Sequence, residues 1–208
     1  MGINFHIFKS NVYDVDLLNM KNRIIIFTLL ISVIFSQGWN TTFIGQLDYP
    51  QFVNDVWGYK ADNGKEYALV GTSLGTAVVD VTTNPFGPQQ VGFITGDEST
   101  WRDIKFYNNH MYISTEAEMG IQVADITDPE NPELVYEWDG VSRAHNLFQA
   151  DGYLYVVGAD EGTDMEILDL TDPAVPVRVG GWSAEYLHDV YVRDNYAYGC
   201  GIYSSTMY

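Results

Sequence analysis

Polar residues that could bind a metal ion recur in this sequence at similar intervals. Four pairs each lead a short apolar segment, and they are spaced by 43 to 48 residues. The pairs are Asn54-Asp55, Arg102-Asp103, His145-Asn146 and His188-Asp189. Histidine nitrogens and carboxylate oxygens are common ligands of divalent cations. The candidate metal ligands are therefore His145, His188, Asp103 and Asp189, and the cofactor would be calcium or a transition metal.

Two other interpretations of these eight residues stay open. They could form a ring of hydrogen-bonded side chains that ties neighbouring segments together, or they could contact a substrate directly. No catalytic residue is assigned, because the sequence contains neither a G-x-S-x-G motif nor a glycine-rich phosphate loop. The single cysteine, Cys200, has no identifiable base and lies among strand-like residues, which predicts a core position.

Acidic loops offer a second place for a cation. Glu116 and Glu118 lie in the segment TEAEMG, and Asp160, Glu161 and Asp164 lie in the segment ADEGTDME. Clustered carboxylates bind calcium, but neither segment has the ligand order of an EF-hand loop. The alternative is that both are ordinary solvated loops.

A repeated ten-residue motif sets the register of the chain. Its three copies are VDVTTNPFGP, VADITDPENP and ILDLTDPAVP, and their first aspartates are 45 and 44 residues apart. We expect each of these aspartates to accept hydrogen bonds from turn N–H groups or from a neighbouring repeat, and each proline to fix a sharp reversal. A metal role is the alternative. The turn residues are Asp80, Asp125, Asp169, Pro85, Pro129 and Pro173.

Each repeat contains four short segments with the alternating pattern of β-strands, separated by turn residues. In the second repeat they are 102–107, 111–115, 121–126 and 134–138, with a turn at Asn108-Asn109. Four antiparallel strands in a repeat of this length predict a β-propeller blade. A β-helical solenoid is the competing fold, but its repeats are shorter. The predicted fold class is all-β, a β-propeller of four-stranded antiparallel blades.

The predicted blades cover residues 54–96, 101–140, 144–183 and 187–208, and the last ends before its third strand. The segment 42–47 resembles an outer strand and would complete the last blade of a closed ring. This gives about three and a half blades, whereas rings have at least four. We therefore expect the propeller to be incomplete in this chain, with its remaining blades missing.

The composition limits the choice of partners. The formal net charge is −18, with 28 acidic and 10 basic residues. Such a surface repels phosphate groups, so nucleic acid is not an expected partner. An unknown extracellular ligand or surface protein remains the expected partner.

The N-terminal region has the features of an export signal. An apolar run at residues 24–35 follows Lys21 and Arg23 and precedes the small residue Ser36. It is too short to span a bilayer but matches a secretory signal peptide at residues 20–36. Residues 1–19 are then an upstream extension before the true start at Met20. The prediction is a secreted or cell-surface protein with no membrane span beyond this segment; a retained signal anchor is the alternative.

Three segments resemble a known family. The repeat motif resembles the LVIVD repeat of secreted bacterial β-propellers. The segments WRDIKFYNNHMYISTEAEMGIQVADITDP, AHNLFQADGYLYVVGADEG and YLHDVYVRDNYAYGCG resemble more narrowly the choice-of-anchor B family. The resemblance covers about residues 40–208 and implies an exported propeller, on the cell surface or extracellular. The family offers no catalytic residues to assign here, and its C-terminal anchor varies.

Three functions follow as hypotheses. The first is an exported binding or scaffold module without catalysis, because propeller faces present rigid loop platforms. The second is a metal-dependent hydrolase that uses the ring of histidines and aspartates at the central channel. The third is a calcium-stabilised adhesin.

Overall fold

The computed structural model describes residues 41–159 and 164–208, and these residues form strands and turns without any helix. Consequently, the described part offers no helix of the length and hydropathy needed to cross a membrane. All the strands lie in one compact unit that spans residues 46–208. The predicted extension, the predicted signal peptide and residues 160–163 of the second acidic loop lie outside the described residues.

Four antiparallel sheets follow one another along the chain. The first contains β1 (Val53–Lys60), β2 (Glu66–Thr72), β3 (Gly75–Asp80) and β4 (Gln89–Thr95). The second contains β5 (Ile104–Tyr107), β6 (His110–Ile113), β7 (Ile121–Asp125) and β8 (Glu133–Trp138). The third contains β9 (Asn146–Ala150), β10 (Tyr153–Val157), β11 (Met165–Asp169) and β12 (Val177–Trp182). The fourth contains β13 (Asp189–Arg193), β14 (Tyr196–Gly201) and β15 (Thr206–Met207).

The sheets are arranged as the blades of a β-propeller, which confirms the predicted fold class. Each sheet runs in simple order from its first to its last strand, and the first strands of successive sheets lie beside one another. The same irregularity in register occurs between the third and fourth strands of all three four-stranded blades. The repeat seen in the sequence is therefore a repeat of the backbone.

Apolar residues fill the space between each pair of blades. Leu69 and Val78 of the first blade cluster with Ile104 and Met111 of the second, and all four are completely buried. Equivalent clusters lie between the second and third blades and between the third and fourth. Because a central blade is covered on both faces, its strands are apolar on both sides.

Local chemistry explains the turns within each blade. The predicted turn at Asn108-Asn109 is confirmed, and an equivalent turn lies at Asp151-Gly152; the φ angles of the four residues lie between 45° and 81°. A two-residue hairpin turn of this kind needs positive φ at both positions, which asparagine, aspartate and glycine tolerate best. His110, which directly follows the Asn108-Asn109 turn, begins β6 and is half-buried.

The corner between the third and fourth strands is held by the repeated aspartate. Asp125 accepts a 2.7 Å hydrogen bond from the backbone N–H of Thr127, and Asp169 accepts a 2.6 Å bond from that of Thr171. The Asp-Pro turn that follows is closed by a bond from the Asn131 N–H to the Asp128 carbonyl oxygen. These bonds satisfy backbone groups that the reversal removes from the sheet.

The last blade is longer than the sequence predicts, and the closing strand at residues 42–47 stays a prediction. The fourth blade has a short third strand, because Gly199 and Tyr208 exchange backbone hydrogen bonds of 2.9 and 3.1 Å beside β15. Residues 42–47 form no strand among the described residues. A strand needs a partner for its backbone groups, and the blade that this segment would complete is not among the four sheets, so ring closure stays a prediction.

The prediction that Cys200 is a core residue is wrong, because the cysteine is exposed. Its neighbours Gly199 and Gly201 are buried, and a Cβ added at Gly199 would lie 2.7 Å from the Leu187 side chain. Cys200 lies on the opposite face of β14, in an open groove with Tyr191, Tyr198 and Met207. Side chains alternate between the two faces of a strand, so burial of the glycines places the thiol outside.

Candidate functional site

The four polar pairs lie at the start of the four inner strands, where the blades approach one another. One open cleft is lined by six of the eight predicted residues together with Trp101. The six are Asn54, Asp55, Arg102, Asp103, His145 and Asn146. His188 adjoins this cleft through His145, whereas Asp189 lines the separate groove beside Cys200. Register along the repeat therefore brings seven of the eight residues to one place.

The aspartates of the first two pairs connect successive blades. Asp55 accepts a 3.0 Å hydrogen bond from the Ile104 N–H, and Asp103 accepts a 2.7 Å bond from the Leu147 N–H. Each donor begins the apolar part of the inner strand in the next blade. Asp189 instead bonds the N–H of its own neighbour Val190, at 2.7 Å. Asp55 and Asp103 therefore bond the backbone of the next blade while they line the cleft, and Asp189 bonds only within its own blade.

Asp103 is also half of a buried ion pair. Both of its oxygens lie 2.8 Å from the Lys105 ammonium, which lies 4.8 Å from the centre of the Trp57 ring. The ammonium also donates to the Ile104 carbonyl oxygen at 3.1 Å. Burial raises the pKa of Asp103 to about 6, although the attraction of Lys105 acts in the opposite direction.

Arg102 and Asn54 are likewise engaged with the backbone. The Arg102 side chain is buried and donates to the Thr72 carbonyl oxygen at 3.1 Å and to that of Asp97 at 2.7 Å. Asn54 donates from Nδ2 to the Thr100 carbonyl oxygen at 2.5 Å. Arg102 therefore ties the loop before β5 to the first blade, and its charge is directed away from solvent.

His145 has a different environment, because its partners are side chains of surrounding loops. Its Nδ1 lies 2.7 Å from Oε1 of Glu116, and an ionised carboxylate only accepts, so the imidazole donates. The ring centre lies 4.1 Å from that of His188 and 6.0 Å from that of Trp101. Gly158 packs against the backbone and Cβ of His145. It has a φ angle of +67°, and a Cβ added to it would lie 2.4 Å from the His145 Cβ.

Two tyrosines extend this group. The rings of Tyr186 and Tyr203 lie 5.2 Å apart. Burial raises the pKa of Tyr186, and the neighbouring Tyr203 and Glu116 add to the increase, which places the phenol within electrostatic reach of that carboxylate. We refer to these six residues as the His145 cluster. Its members are Trp101, Glu116, His145, Tyr186, His188 and Tyr203.

No group of three or more histidine, cysteine, aspartate or glutamate side chains within residues 41–159 and 164–208 is arranged to hold a metal ion. The donor chemistry explains the poor fit. Both oxygens of Asp103 already receive hydrogen bonds from Lys105, and Asp189 is directed into another groove. A metal on these residues would have to displace the existing partners, and the metal assignment stays a prediction.

Sequence reasoning missed several members of this region. Lys105 follows Asp103 by two residues, and the strand period places both side chains on one face, so this pair could have been anticipated. Trp101 directly precedes the Arg102-Asp103 pair. The sequence predicts Glu116 either as a calcium ligand or as part of a solvated loop, and no spacing rule joins it to His145. That contact depends on how two loops approach each other.

Comparison with known proteins supports the repeat architecture. The family model described as the LVIVD repeat matches residues 143–182. The crystal structure of the computationally designed Ika8 protein is similar in fold, with a TM-score of 0.53 and 18% sequence identity. The alignment covers 72% of this chain and spans 42% of that structure's length. No curated protein matches the sequence. The chain is thus a β-propeller built from repeated blades, one of which is similar to the LVIVD repeat.

Proposed function

We propose that this chain is part of an exported β-propeller that binds a ligand at the cell surface or outside the cell, without catalysis. Within this proposal the protein is a choice-of-anchor B family member, as the segments quoted above suggest. The His145 cluster is the binding site. The rigid blades below it act as a scaffold that holds loops from three blades in fixed positions.

One observation carries the proposal: the ionic groups that lead the inner strands are used to build the propeller. Asp55 and Asp103 accept backbone N–H groups of the next blade, and Arg102 bonds two carbonyl oxygens. A general acid or base must exchange a proton with a substrate, and these groups already hydrogen-bond backbone atoms of the chain. Among the described residues at the start of the inner strands, the His145 cluster is the polar and aromatic surface that a ligand can reach.

The cluster has the composition of a binding surface. Trp101 and Tyr203 expose 48% and 77% of their surface, respectively. Exposed aromatic side chains of this size are favoured in contacts with partners because they bury a large area and lose little conformational entropy. Beside them, His145 holds the Glu116 carboxylate at 2.7 Å.

Binding can be tested on an array of extracellular peptides and glycans probed with labelled protein. A variant carrying Trp101→Ala, His145→Ala and Tyr203→Ala should lose the signals of the parent protein. Phe86→Ala is the matched control, because Phe86 is 79% exposed at the Asn84-Pro85 corner outside the cluster. Equal signals from the triple variant and the control would overturn the proposal.

The second candidate, a metal-dependent hydrolase, is favoured by a single observation, the 4.1 Å separation of the His145 and His188 rings. It predicts a stoichiometric transition metal in the purified protein that the double substitution His145→Ala and His188→Ala removes. Elemental analysis of both proteins separates the two functions.

Export is tested separately from binding. Residues 20–36, joined to a reporter enzyme that works only outside the cytoplasm, should direct it across the membrane. Replacing Ile25 and Leu29 with aspartate should prevent this, because an apolar core is needed for a secretory signal. Retention of the unaltered fusion in the cytoplasm would contradict the export part of the proposal.

A further inference from the structure

We infer that the His145 cluster recognises a positively charged ligand through an ammonium group held between Glu116 and the exposed rings of Trp101 and Tyr203. This inference rests on the proposed binding function and adds the chemical class of the ligand. It is supported by the charge of the surrounding loops, by the aromatic surfaces and by the position of the Glu116 carboxylate.

The loops around the cluster are predominantly acidic. Residues 96–103, 114–120, 139–145 and 183–188 contain two basic residues, Arg102 and Arg143. Arg102 is 2% exposed and its guanidinium donates to two backbone carbonyl oxygens, so it adds little positive potential at the surface. The seven acidic residues in the same loops are Asp97, Glu98, Asp103, Glu116, Glu118, Asp139 and Glu185, and of these Asp103 is paired with Lys105. A negatively charged ligand would be repelled from this mouth, and a positively charged one would be attracted.

The aromatic residues of the cluster also attract positively charged groups. The face of an indole or phenol ring carries partial negative charge, so it attracts an ammonium group within about 6 Å of the ring centre. Trp101 has about half of its surface exposed, and Tyr203 is 77% exposed and lies against Tyr186. Both rings are therefore available to a ligand at the surface.

Glu116 supplies the ion-pairing partner. Its side chain is 42% exposed, and Oε1 is held by the imidazole of His145 at 2.7 Å. That bond fixes the position of the carboxylate, and in this inference Oε2 is the oxygen that contacts the ligand. His145 is thus a positioning residue, and Glu116 is the residue that contacts the ligand.

Isothermal titration with four tetrameric probes tests this inference. Tetralysine and the glucosamine tetramer carry ammonium groups, the N-acetylglucosamine tetramer is neutral, and tetraglutamate is anionic. We expect binding of one or both ammonium probes and none of the other two. Binding of both indicates that the ammonium group suffices, and binding of one alone identifies a peptide or an amino sugar as its source.

Substitutions distinguish the cluster from the general negative charge of the protein. Trp101→Ala and Glu116→Gln should each weaken binding of the ammonium probe about fivefold, the loss expected for one such contact. Trp101→Phe keeps a ring and should retain most of the affinity. Glu133→Gln removes the same charge from an exposed position on the outer strand β8 and should change the affinity less than twofold. Thermal unfolding of each variant verifies that it is folded.

Two results would overturn the inference. If Glu133→Gln weakens binding as much as Glu116→Gln, the probes bind the general acidic surface. If the neutral tetramer binds as tightly as the glucosamine tetramer, or if no ammonium probe binds, the ligand class is wrong. The array experiment tests the binding function separately. If the triple variant abolishes array binding while the ammonium probes do not bind, the binding function stands and only the proposed ligand class is wrong.

Discussion

The carboxylate of Asp103 accepts a 2.7 Å hydrogen bond from the backbone N–H of Leu147, the residue that begins the buried part of the next inner strand. The same carboxylate receives the ammonium of Lys105 from within its own blade. One side chain thus joins two neighbouring blades. Because Asp103 and Lys105 are both buried, removing one partner of the ion pair should cost far more stability than breaking a surface pair.

Loss of the Lys105 ammonium should be strongly destabilising. Lys105→Met leaves the Asp103 carboxylate buried without its cation and should lower the free energy of unfolding by about 3–5 kcal/mol. The double variant Asp103→Leu and Lys105→Met should be more stable than Lys105→Met alone, because it removes both charges. Urea titrations measure these differences. The matched control is Arg193→Met, which removes an exposed pair with Asp194 and should cost less than about 0.5 kcal/mol.

Equal stabilities for Lys105→Met and Arg193→Met would contradict this prediction. That result would mean that the Asp103 carboxyl group becomes protonated or hydrated when the ammonium is removed. It would also remove the physical basis for treating Asp103 as a structural connection between blades.

Asp80, the corner aspartate of the first blade, should make the free energy of unfolding depend on pH. Burial would raise the pKa of Asp80, but hydrogen bonds from Thr83, Thr82 and Lys65 outweigh it and hold the pKa well below its usual value. A carboxyl group whose pKa is lower in the folded state stabilises the protein above the unfolded pKa of about 3.9. This contribution is lost as the pH falls through the folded pKa.

We therefore expect Asp80→Asn to be less stable than the parent protein at pH 7, by about 1–3 kcal/mol for a buried acceptor. The difference should shrink once the pH is below about 4. Urea titrations at pH 7 and pH 3 measure it. Asp194→Asn is the control, because the Asp194 side chain is 82% exposed and should give no such change with pH. A constant difference for Asp80→Asn at both pH values would show that its charge is irrelevant.

The sequence was most informative where the structure depends on short-range chemistry. Asp125 bonds the N–H two residues further along, and the turn after Asp128 closes over three residues. Such contacts join residues that are close in sequence, so their spacing alone predicts the corners and the hairpin turns, and these in turn predict the blades. The positions of His145 and His188 followed from the same register.

Contacts between loops could not be predicted in this way. Glu116 and His145 are 29 residues apart and belong to different blades, and their 2.7 Å contact depends on the loop backbones. The exposure of Cys200 could not be predicted either. The residues on both sides of it are glycines, and glycine does not indicate which face of a strand is buried. Periodicity predicts which residues share a face, but the packing of the neighbouring sheet decides which face is covered.

Gly92 should be intolerant of a side chain because another blade packs against it. A Cβ at this position would lie 2.7 Å from the Pro129 carbonyl oxygen and 2.7 Å from the Pro132 ring. Gly92→Ala should therefore separate the first blade from the corner of the second and cost about 1–3 kcal/mol in urea titrations. Gly58→Ala is the matched control in the same blade, since nothing lies within 4 Å of its added Cβ. Similar stabilities for the two variants would show that the corner moves without cost.

The thiol of Cys200 should react in the native protein. The residue lies in the open groove beside Tyr191 and Met207, so Ellman's reagent should modify one thiol per chain in native buffer, to the same extent as in denaturant. Cys200→Ser should not react. In that background, Ala124→Cys provides a buried comparison, because Ala124 is 0% exposed, and this thiol should react only after unfolding. If Cys200 also required denaturant, its face of β14 would be covered in solution, and the groove would be occupied by further protein.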